Sequence, residues 1–549
     1  MLPDAISSTH PIYYHLRRLL LFWRWIIVAA LMILTPHLAQ AASPPDAQVV
    51  VNVNTVINPD SPRLLGTSFD GRSSLLLGGN PAGYYSPADG SLLPEVAPLW
   101  NQIQLTSMRY PGNAVNKLNW QEAIGPIAGR PLTDIGAGPQ KILFGFDEFM
   151  AMAQSRGVPV EHVQIMINLY STYNGQTPAE NAADWVEYAN APYDPTGQNN
   201  PNGGVDWAAV RAANGYTQPY GIKIWNIGNE PWGQTEFNMN VISYTSVAAD
   251  FMTRMKQVDP SIKITLPAAG APTFPTVSGQ QRRDAMTVWD TTLLQTFGDD
   301  IYGLSQHIFY DNSSCRGVSA AQQAVELLAQ QIVDSGKNVR LLIGDHAHSI
   351  TSASTVCTQP NSADFAMQWQ GAVTSADFLM MLAGEPAVER ANFWIWGMPA
   401  AVWHPIRRNN DGTYTLMPLA GIYELLGPLM LRQAISAATT SPASADGVAY
   451  SVRAGAFQAS NQNQVSVVVV NRDQPFTHRV QIQGLDGYSL QQARLLTADQ
   501  PDSESFTAAA LSTSGSPTEF DMPGQSILLL EYNKIVADTQ AVYLPLIQK

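Results

Sequence analysis

Two cysteines, Cys315 and Cys357, are all that the 549 residues contain. So few exclude a cysteine-rich scaffold and a four-cysteine zinc site, while an oxidising compartment permits the pair one disulfide. Charge is also sparse, at 13% of residues, and 30 basic against 44 acidic side chains give a formal charge of -14. That balance argues against a basic groove for nucleic acid or an anionic membrane surface. The 40 Gly and 38 Pro carry no three-residue period, which excludes a collagen triple helix. What the chain does have is 45% hydrophobic residues, enough to bury a sizeable core in one large unit and a smaller one.

The first forty residues differ from the rest. Arg17, Arg18 and Arg24 precede the apolar run Trp25 to Leu34, and Leu38-Ala39-Gln40-Ala41 supplies the small residues of a secretory cleavage site. Residues 1–41 are therefore expected to be a signal peptide, making the product secreted or periplasmic. The alternative is an uncleaved membrane anchor, the only source of membrane association, with the rest of the chain outside the cytoplasm. Residues 42–60 read as a linker and a strand, Val49 to Val56.

From there, short apolar runs recur between amphipathic segments. The runs are Leu64 to Phe69, Thr106 to Tyr110, Val163 to Asn168, Ile222 to Ile227, Lys263 to Ala268, Ile301 to His307, Val339 to Asp345 and Ala391 to Trp396. Between them, Leu143 to Arg156, Val241 to Lys256, Ala320 to Asp334 and Phe365 to Leu382 supply crossover helices. Eight parallel strands without exposed edges predict an α/β fold, a (β/α)8 TIM barrel over residues 61–435, with a doubly wound sheet as the alternative. Ala191 to Val205, rich in Asn, Pro and Gly, reads as a loop. Past Thr440 the rhythm shortens, predicting an accessory antiparallel β-sandwich over residues 436–549, to which Val49 to Val56 is added. Thr439 to Asp446 and Asp499 to Ser516 read as connections.

Barrel enzymes build their sites at the C-terminal ends of strands. There the fourth run ends in Asn226-Ile227-Gly228-Asn229-Glu230-Pro231-Trp232, a carboxylate beside an amide that can both donate to and accept from a hydroxyl. The seventh run ends in Asp345, across the mouth. Two carboxyl groups, one protonated to assist a leaving oxygen and one ionised to attack or to activate water, are what glycosidic hydrolysis requires. Strand alternation turns Asp345 away from His346 and His348, so the three do not form one metal site. Neither metal nor cofactor is expected. His307 and Tyr310 follow the sixth run and are candidates to orient the carboxylates. Arg109 and Asn113 follow the second, and Asp70 the first. Trp232, Trp394, Trp396 and Trp403 are candidate stacking walls for sugar rings. A bond between Cys315 and Cys357 would tie two loops beside this site. The residues also admit an inverting hydrolase and a noncatalytic carbohydrate-binding protein. The partner in each case is an oligosaccharide or polysaccharide; oligomeric state is not legible.

With Asn229-Glu230 and the segment MRYPGNAVNKLNWQEAIGP from Met108 to Pro126, the chain resembles the retaining glycoside hydrolases of clan A, and is most similar to family 51, the α-L-arabinofuranosidases. The resemblance implies that Glu230 is the acid/base, that Asn229 and Asn113 bind sugar, that Arg109 lies beneath the site, and that His307 and Tyr310 support the carboxylates. Asp70 takes the position of a substrate-binding glutamate. At strand seven the family presents glutamate before tryptophan and asparagine, whereas this chain presents Asp345-His346-Ala347. The implied nucleophile is thus one methylene shorter.

Overall fold

The computed structural model describes residues 45–59, 61–69, 84, 86, 91–134, 139, 141–233, 238–269, 279–310, 318–348, 366–395, 403–430, 432–445 and 449–535. All described elements belong to one unit, Asp46–Lys549. The expected leader, Asp70, Cys315, Cys357 and Trp396 lie outside the described residues, as does the side chain of Asn113. Among the described residues no helix is long and apolar enough to cross a membrane.

After strand β1 (Ala47–Asn58), eight parallel strands close a barrel in chain order: β2 (Gly66–Ser68), β3 (Ser107–Tyr110), β4 (Val163–Ile167), β5 (Ile224–Ile227), β6 (Lys263–Pro267), β7 (Gly303–Tyr310), β8 (Arg340–His348) and β9 (Val388–Phe393). Each overlaps one of the eight apolar runs, the last least, since β9 starts three residues before Ala391 and ends at Phe393. The runs look continuous because both strand faces are covered. The barrel lumen is polar: Gln164 donates to Thr265 at 3.1 Å, and Thr265 to Asn226 at 2.8 Å.

Outside the barrel pack α1 (Phe146–Ser155), α2 (Pro178–Asn190), α3 (Trp207–Ala213), α4 (Val241–Val258), α5 (Gly279–Phe297), α6 (Ser319–Ser335), α7 (Trp369–Ala383) and α8 (Pro418–Met430). Their starts follow local chemistry. Thr177 and Glu180 form a reciprocal capping box on α2, and Asp206 and Asn240 cap α3 and α4. The loop between α2 and α3 runs along the flank of α2, where Asn202 bonds Glu187 and Asp184. A short hairpin, β10 (Ile406–Arg408) with β11 (Tyr414–Leu416), precedes α8.

The remaining strands are β12 (Gln433–Thr440), β13 (Val452–Gln458), β14 (Gln464–Asn471), β15 (His478–Gln483), β16 (Tyr488–Thr497), β17 (Thr507–Ala510), β18 (Glu519–Met522) and β19 (Ser526–Lys534). With β1 they form a nine-stranded sheet in the order β17-β16-β19-β14-β13-β12-β1-β15-β18, antiparallel except where β1 meets β15. Period-two alternation gives the sheet two apolar faces. Val465, Val467, Val469, Leu528 and Leu530 fill the accessory core. Val468, Val470, Ile527 and Leu529, between them in sequence, join the core of the barrel. Besides the short hairpin, three strands of this sheet escape the sequence reading. β12 straddles the expected domain boundary, β17 falls inside an expected connection, and β18 was not foreseen. Alanine, serine and threonine dominate the first two, so neither shows a strong apolar alternation, and β18 has only four residues.

Candidate active site

β5 presents Glu230 through a turn that an ordinary strand end would not make. Gly228 sits at φ +87°, and a Cβ there would lie 2.8 Å from Leu169 Cδ1. Glu230 itself takes φ +42°, a left-handed conformation that costs a residue with a Cβ on the order of 1 kcal/mol or more and is concentrated at functional sites. Neighbours hold the turn. Asn226 Nδ2 donates to the Gly228 carbonyl at 2.7 Å, the Tyr244 hydroxyl to that of Ile227 at 2.7 Å, and the Trp232 indole to that of Ala268 at 3.1 Å.

Across the barrel, β8 carries an irregularity. Gln306 pairs with Ile343 but His307 pairs with Asp345, so Gly344 is an extra residue in the register. Only glycine fits there, because a Cβ would come within 2.4 Å of Ser305 Oγ and 3.0 Å of His307 Nε2. The bulge brings Asp345 level with His307.

Five strands then converge on one network. Arg109, fully buried on β3, donates through Nη1 to Asp345 Oδ2 at 2.7 Å and to Ser68 Oγ at 3.3 Å. Through Nη2 it donates to Asn229 Oδ1 at 3.2 Å and contacts His307 Nε2 at 2.9 Å. A guanidinium has no acceptor, so His307 Nε2 must accept, and the ring proton resides on Nδ1. That Nδ1–H is 2.8 Å from Glu230 Oε1 and 3.5 Å from Asp345 Oδ2. His307 thereby donates to Glu230 and stands beside Asp345. The Ser68 hydroxyl donates to Asp345 Oδ1. The environments of the two acids differ: the side chain of Asp345 is 5% exposed and that of Glu230 23%.

The structure thus brings together Glu230, Asp345, Arg109, Asn229 and His307. Tyr310 does not join them. Its hydroxyl contacts Ser375 at 2.8 Å and His346 at 3.3 Å, and its ring stacks on Phe378 beneath α7. Three positions separate it from His307, an odd step that puts the two on opposite faces of β7. His346 lies on that outer side too, against Phe378 and Phe393, where burial pushes its pKa down to about 3. Trp232 and Trp394 are 7% and 8% exposed, leaving little ring surface for a sugar. The Trp403 indole donates to the His348 carbonyl at 2.9 Å. Ser68 is the member of the network that sequence reasoning missed. Its signal was register: Ser68 pairs with Arg109 across β2 and β3.

Residues 99–307 match the alpha-L-arabinofuranosidase 1 domain. Among curated proteins, the chain is 28% identical over 259 residues to the intracellular exo-alpha-(1->5)-L-arabinofuranosidase of Streptomyces lividans, covering 46% of this chain and 35% of that protein. To the exo-alpha-(1->6)-L-arabinofuranosidase of Bifidobacterium longum it is 26% identical over 272 residues, 48% of this chain and 47% of the relative. The aligned region is thus less than half the length of these relatives. Among solved structures, a family 51 alpha-L-arabinofuranosidase from Bifidobacterium longum superposes with a TM-score of 0.71 at 21% identity, covering 89% of this chain and 100% of the other. The alpha-L-arabinofuranosidase of Thermotoga maritima in its arabinose complex gives 0.67 at 20% identity, covering 88% and 99%. In sequence over residues 99–307 and in fold over most of its length, the chain is similar to the family 51 alpha-L-arabinofuranosidases.

Proposed function

We propose that this protein is an exported hydrolase that releases terminal α-L-arabinofuranosyl groups from oligosaccharides or polysaccharides with retention of anomeric configuration. One observation carries the reading: carboxylates from β5 and β8 both reach the same His307 nitrogen, at 2.8 Å and 3.5 Å. Those two legs limit the oxygens to about 6.3 Å apart, below the roughly 6.5–9.5 Å that lets an inverting enzyme seat water between its acids. The arabinofuranoside preference is supported by the names of the relatives.

In this mechanism Glu230 protonates the departing oxygen while Asp345 attacks the anomeric carbon. Glu230 then takes a proton from water as water displaces the Asp345 carboxylate. Arg109 and Ser68 fix the nucleophile before the substrate arrives, which is how a shortened carboxylate keeps its aim. His307 donates to Glu230 Oε1, leaving Oε2 to carry the transferable proton.

The test is proton NMR of the first-formed sugar from an α-L-arabinofuranoside. Initial release of the α-anomer supports the reading, and release of the β-anomer overturns it in favour of inversion. Glu230→Gln is expected to reduce turnover of an unactivated glycoside by 10²-fold or more. Asp345→Gly is expected to be inactive until azide is added, when the azide attacks directly and yields a β-configured glycosyl azide. Full activity in either variant without azide, or saturable glycan binding with no hydrolysis by the unmodified protein, sinks the proposal. Export rests on the leader, and mass spectrometry of the extracellular product should find a chain starting near Ala42.

A further inference from the structure

We propose that Ser68 is a positioning residue that decides which oxygen of Asp345 attacks and that speeds breakdown of the resulting ester; this rests on the retaining mechanism above. The two oxygens of Asp345 face different partners. Oδ2 lies 3.5 Å from the His307 nitrogen that also meets Glu230, on the side of the second acid. Oδ1 is turned toward β2, where it accepts the Ser68 hydroxyl. Arg109 Nη1 is 3.3 Å from Ser68 Oγ and, having only hydrogens to offer, directs the serine hydrogen away from itself. The only other acceptor for Ser68 Oγ among the described residues is the Gly344 carbonyl at 3.3 Å.

The consequence follows the electrons. In the first step Oδ2 bonds to the anomeric carbon, the bond to the leaving oxygen breaks, and Glu230 supplies that oxygen with a proton. Oδ1 becomes the ester carbonyl and keeps its bond from Ser68. In the second step a water oxygen bonds to the same carbon, Glu230 takes a water proton, and the pair from the carbon–Oδ2 bond returns to the carboxylate. Charge reappears on Oδ1 as well as Oδ2, and a hydrogen bond to a charged acceptor is stronger than one to a neutral carbonyl. Ser68 therefore assists the second step more than the first.

Removing the hydroxyl should move the slow step. With 4-nitrophenyl α-L-arabinofuranoside, Ser68→Ala is expected to lower kcat and KM together, by roughly ten- to a hundredfold, the size expected for one charge-assisted hydrogen bond, leaving kcat/KM within a few-fold. A pre-steady-state burst of nitrophenol near one equivalent should appear, with a protein mass increased by one pentosyl group. Ser68→Thr, which keeps the hydroxyl, should restore kcat and abolish the burst. Unchanged kinetics in Ser68→Ala, or a loss of kcat/KM with no burst, overturns the proposal. If Ser68→Ala does not fold, Ser68→Cys, nearly isosteric and a weak donor, carries the same burst test. Failure of the underlying mechanism reads differently: the unmodified enzyme would then invert, or release no nitrophenol at all.

Discussion

Arg109 makes four contacts with two nitrogens, and each has a different consequence: it pairs with Asp345, orients Ser68, identifies the oxygen end of the Asn229 amide, and fixes the proton of His307. A lysine ammonium cannot span these partners. Arg109→Lys is expected to cut kcat/KM by about 10²–10³-fold while circular dichroism stays native. His346 makes a different prediction. Burial lowers its pKa from 6.5 to about 3, so the unfolded chain binds its proton first as the solution is acidified. The stability conferred by the neutral ring is fully present above pH 6.5 and is lost as pH falls toward about 3, with a slope of at most about 1.4 kcal/mol per pH unit. Denaturant titrations of His346→Phe across that window should show a shallower acid-side decline than the unmodified protein. At this scale the carboxylates, Arg109, Asn229 and His307 were legible because each sits at a strand end with chemistry to offer. Tyr310 misled because spacing along the chain was read without the parity of the strand. Ser68 was passed over because a serine in an apolar run carries no signal until its neighbour across the ladder is known.

The elements that carry these residues were easier to read, since eight apolar runs bounded by polar turns leave few alternatives to a closed barrel. Less legible were the backbone devices that aim the side chains, namely the turn at Gly228 and the register irregularity at Gly344. Neither glycine announces itself, because the need for it comes from Leu169, Ser305 and His307. Gly228→Ala should therefore displace Glu230 and depress kcat by tenfold or more, through both the positive φ and the contact with Leu169. Thr177→Ala, which removes half of the capping box on α2, is expected to cost about 1 kcal/mol in chemical denaturation with kcat unchanged.

Barrel and accessory sheet share a core, and polar ties reinforce it. Asp377 on α7, almost fully buried, pairs with Arg453 at 2.6 Å and accepts from the Tyr450 hydroxyl at 2.7 Å, while the Trp369 indole donates to Gln525 at 2.7 Å. Removing one member of a buried ion pair strands its partner. Asp377→Ala is expected to destabilise the protein by about 3 kcal/mol in a single cooperative transition monitored by calorimetry. Two separate transitions would show that sheet and barrel melt independently.

The earliest strand of the sheet also bears on how the chain is made. β1, which precedes the barrel, hydrogen-bonds to β12 and β15, so Gln48 meets Thr440 and Gln481. During synthesis on the ribosome this ribbon must wait, with its backbone donors unmatched, until nearly four hundred more residues have emerged. Until then it depends on water or a chaperone to keep it from a wrong partner.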